Sequence, residues 1–515
     1  MASLSKRPWG LEWRSSVWFV TAVVGLGITT DLLVYSVVIP VLPFHLEELG
    51  YTGVSALTGW LLFGYSGGIV FSTPIIAVLS ERYNSRRWPL LIGQFVLIGS
   101  QVMLMEAPKY WVMVIARVIQ GISSAVIWVV GLALLCDTAP AATIGRQLGL
   151  AMSGLSLGLL IGPPVGGTLF KSFGFRAPFV CSVIVTLVDV IGRVLIIERG
   201  EAQAHGFDPA APPVKNESIE LEKAPVEVST ENVPNNADVN RTTTPSVTEV
   251  TVQDATQPTP DSPAEKITLM GVVATLLRSR RALAAIFISM TYGIVLTTVE
   301  PALPLHLQDI WHLNSSGVGL VFLAAVIPTI FSSGIAGWWT DKKGPEWLTI
   351  TCLILSSPWW GIMIIQKSLA LFLVALAFQS FFTAGVVSPL TAELAAVSRA
   401  NTGVGYGHVY GAFQLAYGIG SAGKLFLISS VDKVSSVKAG PIIGGQVYEH
   451  VELGWLTICV LSIGLFIVCT GLAVSCIGEE PLLARALRRH KKRVLERTST
   501  APAPTPVLFD PTLTH

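Results

Sequence analysis

Charge is scarce in this chain. Asp, Glu, Lys and Arg make up 13% of its 515 residues, about half the roughly 25% of an average soluble domain. So few charged groups cannot cover the surface of a water-soluble fold of this size. Cysteine is sparse as well. The six (Cys136, Cys181, Cys352, Cys459, Cys469, Cys476) include no CxxC pair, which argues against a disulfide framework or a zinc site. No Ser-His-Asp constellation, metal-ligand spacing or phosphate-binding loop stands out, so enzyme chemistry is not expected. A net charge of +1 gives no electrostatic footprint for nucleic acid. The first apolar stretch is too long for the core of a cleavable signal peptide, and none is expected.

What the chain has instead is apolar length: 51% of its residues are hydrophobic, and mean hydropathy is +0.62. A helix needs about 20 apolar residues to cross a bilayer. Twelve stretches qualify, at roughly 17–44, 55–78, 88–106, 110–136, 147–170 and 177–198, then 282–306, 315–339, 347–366, 369–397, 403–430 and 453–478. All must be helical, because lipid offers no partners to free backbone groups. The expected fold class is therefore all-α, with 12 transmembrane helices in two pseudo-symmetric six-helix bundles, residues 17–199 and 267–480. Residues 1–16 and 481–515 read as tails. Residues 200–266, rich in Pro, Thr and acid, read as a disordered linker, and so does the end of the chain after about 494.

Arginine and lysine orient the spans. Arg7 and Arg14, Arg82, Arg86 and Arg87, Arg146, Arg278 to Arg281, Lys342 and Lys343, and the cluster Arg485–Arg493 all fall on one side if the spans alternate. The opposite loops carry Glu47, Glu48 and Asp309. The positive-inside rule puts both termini and the linker in the cytoplasm.

An internal repeat supports two related halves. Pro40-Val-Leu-Pro43-Phe-His45-Leu ends span one, and Pro301-Ala-Leu-Pro304-Leu-His306-Leu ends span seven. His45 and His306 are expected at the membrane interface with reach to solvent. A second pair follows spans two and eight: "AVLSERYNSRR" from Ala77 and "GWWTDKKGP" from Gly337. Duplicated halves with substrate held between them near the midplane describe transporter architecture.

Span five reads Gly149-x8-Gly158-x3-Gly162-Pro163-x2-Gly166-Gly167. Glycines four apart make a groove that another helix can approach closely. The pattern resembles the antiporter motif of the drug:proton antiporters of the major facilitator superfamily, and that resemblance implies an exporter. Arg117-Val-Ile-Gln120-Gly121 in span four resembles that superfamily's RxxQG motif. An arginine inside a membrane must face a polar interior. Ala77-x3-Glu81-Arg82-x-Asn84 and Gly337-x3-Asp341-Lys342-Lys343-Gly344 are similar to its G-x-x-x-D-R-x-G loop. Glu81, Arg82, Asp341 and Lys342 are read as gating-loop residues that hold neighbouring helix ends.

Within that superfamily, Asp31-Leu-Leu-Val-Tyr35 through Pro43, Glu300-Pro301-Ala-Leu-Pro304, Gly162-Pro163-Pro164, Ala177-Pro178-Phe179 and Leu187-Val-Asp189 together resemble the vesicular amine transporters and their fungal relatives. In that family the span-one aspartate binds the substrate ammonium and exchanges protons, a role the resemblance carries to Asp31; the span-seven Glu-Pro pair points likewise to Glu300. The chain departs from the family in span two, where Ser66 stands near the position of a lysine. Span ten is apolar where the family is acidic, and span eleven offers Gln414.

Asp31 lies mid-span, where an unpaired carboxylate must carry a proton or hold a cation. Asp189 lies four residues before Arg193, on one helix face as a possible pair; with Arg117 it joins the coupling candidates. Tyr35, Tyr65, Tyr292, Phe378, Gln379, Tyr410, Gln414 and Tyr417 are pocket candidates. The expected protein is a monomeric, proton-coupled exporter of a small organic molecule. It uses no cofactor beyond the proton gradient, partners with the lipid bilayer and its substrate, and resides in the plasma membrane. The other reading is a vacuolar or vesicular amine/proton exchanger.

Overall fold

The computed structural model describes residues 7–51, 54–82, 85–211, 269–313, 315–401, 403–422 and 454–499. A short α1 (Leu11–Arg14) precedes the first half, which runs α2 (Val17–Val37), α3 (Leu42–Glu48), α4 (Val54–Arg82), α5 (Arg87–Met105), α6 (Tyr110–Thr138), α7 (Ile144–Phe173) and α8 (Arg176–Leu195), with a short α9 (Arg199–Ala204) after it. The second half runs α10 (Leu269–Arg278), α11 (Arg280–Trp311), α12 (Ser315–Lys343), α13 (Pro345–Met363), α14 (Leu369–Gly385), α15 (Val387–Ala400), α16 (Tyr406–Ala422) and α17 (Gly454–Cys476), followed by α18 (Leu482–Ser499). Among the described residues, ten helical stretches are long and apolar enough to cross a membrane. Spans nine and eleven, α13 and α16, fall outside that count, and α16 is described for only 17 residues. The nearly all-helical, two-half architecture is the expected fold class.

Two spans differ from their apolar runs. The first, expected to continue to residue 44, stops at Val37 and restarts as α3. Pro40 has no N–H to give to Ser36, and the chain closes the gap with tighter bonds, Ile39 N–H to Ser36 O at 3.2 Å and Val41 N–H to Val38 O at 3.1 Å. The tenth breaks between α14 and α15, because Pro389 withholds a bond from Gly385 and Val386 donates to Thr383 O instead, at 3.2 Å. The repeat's second Pro-x-x-Pro sits inside the continuous α11.

The halves pack with a two-fold pattern. Within the first, α2 lies along α7; within the second, α11 lies along α16. Between them, α4 packs on α16 and α7 on α12, while α6 touches α16 and α15 touches α7. Helices α5, α8, α13 and α17 flank these and pack within their own half. They turn apolar side chains such as Ile92, Phe95, Ile184, Ile191, Ile467 and Val468 outward, a lipid-facing surface for a chain that spans a bilayer.

One end of the molecule gathers the basic loops. There Arg14 Nε donates to Leu195 O at 2.6 Å, and Arg485 pairs with Glu346 at 2.8 Å. Exposed Trp9, Trp13, Trp18, Trp88, Trp338, Trp339 and Trp347 ring the same end, as expected of an interfacial belt. The ordered part also runs past the expected start of the linker. Arg199 pairs with Asp208 at 2.9 Å, and Ala202 is buried against Leu11 and Ile197. The Arg199 guanidinium holds the Asp208 carboxyl below its ordinary range. Residues 212–266 and the tail after Ser499 lie outside the described residues, whereas 482–499, placed in the tail by sequence, form a helix.

At the opposite end, His45 stacks on Phe175 at 3.4 Å and His306 on Trp455 at 4.1 Å. The repeat thus places the same contact in both halves, between spans one and six and between seven and twelve. Burial lowers the pKa of His45, with Glu48 opposing. His306 is only 1% exposed, so the expectation of solvent reach fails there: the imidazole is enclosed by Trp311, Phe372 and Trp455.

Candidate functional site

Among its described residues, the first half buries four charged side chains: Asp31, Arg117, Asp189 and Arg193, none more than 2% exposed. Two carboxylates and two guanidiniums balance formally, yet they are not arranged as two ion pairs. Asp189 and Arg193 do pair, at 3.0 Å along α8, and Gln94 of α5 donates to the same carboxylate oxygen. Asp31 and Arg117 each lack an oppositely charged side chain within salt-bridge distance among the described residues.

Asp31 sits on α2. Its Oδ2 accepts from the Ser124 hydroxyl at 2.6 Å and from Trp128 Nε1 at 2.9 Å, both on α6. The Tyr65 hydroxyl donates to Ser124 Oγ at 2.8 Å, extending the chain to α4. The other oxygen, Oδ1, is buried with no hydrogen-bond partner in the described structure. Burying a polar atom without a partner is costly, so this oxygen is where a proton or a ligand's cationic group would lower the free energy most.

Arg117 belongs to the same face of α6: positions 117, 121, 124 and 128 recur at helical spacing. Its Nη1 donates to Gln120 Oε1 at 2.7 Å, and its guanidinium lies 5.9 Å from the Tyr35 ring centre. Nε and Nη2 are buried without partners. Tyr35 and Tyr65 lie with ring centres 4.8 Å apart, so tyrosines line the space beside both charged groups. Across the seam, Tyr292 and Tyr417 are 6.2 Å apart, and Gln414 is buried on the same helix as Tyr417.

The structure separates other candidates from this cluster. Gln379 bonds Thr383 at 2.9 Å inside the second half. The Tyr410 hydroxyl lies 3.0 Å from Cys136 Sγ and donates to Thr391 O at 3.2 Å, sealing the seam toward the basic end. Phe378 stacks on Trp359 at 4.6 Å. Glu300 lies in α11, and its side chain is outside the described residues.

The glycines of span five have a specific neighbour. A side chain at Gly158, Gly162 or Gly166 would collide with α2 at Thr29, Ser36 and Val37, and Ser36 Oγ donates to Gly158 O at 3.1 Å. Gly149 faces the other way, toward Ser333 and Gly337 of α12. Gly167 meets nothing within 4 Å and is not part of either contact. Pro163 lies inside a continuous α7. The groove therefore locks α7 against the helix that carries Asp31.

The two loops read from sequence as gating place their carboxylates at helix N-termini of the opposite half. Asp341 accepts from the backbone N–H groups of Gly145 and Arg146, at 2.8 and 2.7 Å, where α7 begins. Glu81 accepts from Gly407 N–H at 2.7 Å, where α16 begins. A carboxylate at a helix N-terminus meets both free donors and the positive end of the macrodipole. The basic partner of Glu81 is Arg86 at 3.0 Å, which also pairs with Asp137 at 3.0 Å. Arg82, the adjacent residue, makes no ion pair among the described residues. Lys342 lies over the Trp338 ring at 3.8 Å instead of joining the contact. A cavity of about 290 Å³ beside Asp341 is lined by Gly145, Arg281, Glu346, Glu393 and Arg399. Its ion-paired lining, with Arg281–Glu393 at 2.6 Å, ties it to this closed end and not to Asp31.

Sequence reasoning missed Ser124, Trp128 and Gln94. The first two were within reach, because they continue the face that Arg117 opens.

Comparison with known proteins places the chain. The profile of the Major Facilitator Superfamily matches residues 17–300 and 282–512. An MFS-type transporter, ppzB, of Metarhizium rileyi is 27% identical over 462 residues, covering 85% of this chain and 90% of that one. The synaptic vesicular amine transporter of Rattus norvegicus is 22% identical over 405 residues, covering 77% and 62%. Among solved structures, the human organic anion transporter MFSD10 (TETRAN) superposes with a TM-score of 0.63 at 16% identity, covering 89% of this chain and 99% of that one; this is a likeness of fold.

Proposed function

The chain belongs to the major facilitator superfamily, as a multi-pass membrane transporter and not an enzyme, and we propose that it is a proton-coupled antiporter exporting a small organic molecule from the cytosol. The observation that carries this reading is the state of Asp31. One oxygen is fixed by Ser124 and Trp128 and the other is buried without a partner among the described residues. Such a carboxylate is occupied either by a proton or by a cation, and competition between the two at one oxygen is sufficient for exchange. Arg117, buried beside Tyr35 without a carboxylate partner among the described residues, adds a positive charge to the same half, which weighs against holding proton and cationic substrate together.

Access would alternate by rocking of the halves. The described state is closed at the basic end, where Asp341 and Glu81 cap α7 and α16 across the seam. With that end in the cytoplasm, as the distribution of Arg and Lys supports, this is the state closed to the cytosol. Loading Asp31 with a proton from outside would then precede release of these caps and return of the site to the cytosol. A plasma-membrane location suits an exporter. The amine transporter relative supports a second setting for the same exchange, in a vesicular or vacuolar membrane, with a substrate carrying a basic nitrogen.

The test is uptake into proteoliposomes under an imposed pH gradient, with a substrate first found by export screening. Asp31→Asn, which can neither release a proton nor attract a cation, should lose gradient-driven accumulation, and Asp31→Glu should keep part of it. Accumulation at the native level in the Asn variant would refute the role of Asp31.

A further inference from the structure

Helix α18 follows span twelve by a short turn. Gly478 adopts φ +92°, a left-handed backbone that lets the chain leave the axis of α17, and Pro481 precedes the new helix. Its sequence, LLARALRRHKKRVLERTS, holds seven Arg and Lys and a single Glu. At 100° per residue, Leu483 and Leu487 share one face, with Arg485, Arg488, Arg489 and Lys492 on the other and Lys491 at the border. Leu482 packs onto the bundle, but Leu483 and Leu487 are 47% and 61% exposed. Arg485 and Arg488 are engaged with Glu346 and Glu480. Arg489, Lys491 and Lys492 make no ion pair among the described residues.

We propose that α18 seats on the inner leaflet and binds acidic lipid headgroups, with Leu483 and Leu487 in the acyl boundary and Arg489, Lys491 and Lys492 on the phosphates. Three observations converge on lipid. The helix begins six residues after a transmembrane span, at the end of the molecule ringed by exposed tryptophans. Its leucines need an apolar medium, and its free cations need anions beside that medium, which is the composition of an interfacial helix. The acidic segment 212–266 of this chain could meet the cations, but it offers little apolar surface for the leucines, so lipid satisfies both faces and the linker only one. Arg485 gives the seat a mechanical consequence. It ties α18 to Glu346 at the start of α13, two residues after the loop that carries Asp341, so lipid capture bears on the closed basic end.

The test uses the full chain in nanodiscs of phosphatidylcholine alone or mixed with phosphatidylserine. An environment-sensitive fluorophore is placed through Leu487→Cys in a chain carrying Cys181→Ser and Cys476→Ser; the other four cysteines are buried. The expected result is a blue shift in the acidic nanodiscs and not in the neutral ones, weakened by salt as surface charge is screened. Each basic residue near an acidic surface is worth about fivefold in partition, so Arg489→Glu with Lys491→Glu and Lys492→Glu should remove the shift. Amide exchange across 482–499 in the unsubstituted protein should slow in acidic lipid by the same logic, and needs no labelled variant. Identical spectra and exchange in both lipids would overturn the proposal, as would an equal blue shift in neutral lipid. A shift that depends on residues 212–266 and not on lipid would overturn it in favour of the linker.

Discussion

The sharpest consequence of the geometry concerns Asp341 and a cysteine on another seam. Asp341 caps α7 through two N–H groups at 2.8 and 2.7 Å. A hydrogen bond to a charged acceptor contributes about 1.5–3 kcal/mol when buried, and a charge at a helix N-terminus adds about 0.3–1 kcal/mol. The Asp341 side chain is exposed, so screening reduces these values, and Asn keeps one acceptor. The net loss for Asp341→Asn is therefore about 1–1.4 kcal/mol, a five- to tenfold shift toward the state open at the basic end. Cys136 reports that state. It is 3% exposed, on α6 against Tyr410 of α16, whereas Asp341 acts between α12 and α7. Only separation of the halves connects the two. Maleimide labelling of Cys136 in membranes open to the reagent from the cytoplasmic side should accelerate five- to tenfold in Asp341→Asn. Glu81→Gln weakens the other cap and shares no partner with Asp341, so the double variant should accelerate by about the product of the single factors. An unchanged rate in Asp341→Asn, or a double variant no faster than either single one, would show that the carboxylates hold no common closed state.

Two further outcomes are expected. Gly162→Leu forces a side chain into Ser36 of α2 at an overpacking cost of about 1–3 kcal/mol or more, and should abolish transport in a protein that still reaches its membrane; Gly167→Ala, which meets nothing within 4 Å, should transport normally, and equal behaviour of the two would remove the groove from the mechanism. Tags at either terminus or within 200–266 should stay protected from impermeant reagents in intact cells, and labelling of a linker cysteine from outside would contradict the assigned orientation.

The spans were legible because lipid enforces a simple rule: an apolar run of sufficient length becomes a helix. Starts and ends of α5, α6, α8 and α17 lie within a few residues of the runs that foretell them. The breaks at Val37 and Val386 were less legible, since an apolar run does not reveal which prolines the helix tolerates. Pro74, Pro328 and Pro358 sit inside unbroken helices, whereas Pro40 and Pro389 accompany breaks. The glycine spacing of span five announced a close approach but could not say to what, because any helix fits a groove. The partner, α2, emerges only from tertiary packing. The same limit applies to Asp31: sequence marks a costly charge, while Ser124 and Trp128 arrive from a helix about ninety residues away. Arg86 in place of Arg82 is the reverse case, in which a motif named the neighbouring residue and the fold used another.

The two halves share their gating and differ in their interior. Each lends a carboxylate to a helix N-terminus of the other, Glu81 to α16 and Asp341 to α7, so both caps span the same seam. The buried charges do not follow this symmetry. In the first half, Asp31, Arg117, Asp189 and Arg193 lie within spans; in the second, the buried acids among the described residues are Glu346 and Glu393, both at the basic end and both held by arginine, Arg485 and Arg281. A group already neutralised by a permanent cation has little to exchange, whereas Asp31 keeps an oxygen with no partner among the described residues. On the proposed reading, exchange chemistry concentrates in the first half, against the tyrosines that the second half brings across the seam, while the symmetric caps would set which side that oxygen faces. If Asp31 is the exchange site, coupling requires only that occupancy of one oxygen alters how readily two distant carboxylates let go, and the contact of α7 with α2 through Gly158, Gly162 and Gly166 would be the physical link, because the helix that Asp341 caps is the one packed against the helix that carries Asp31.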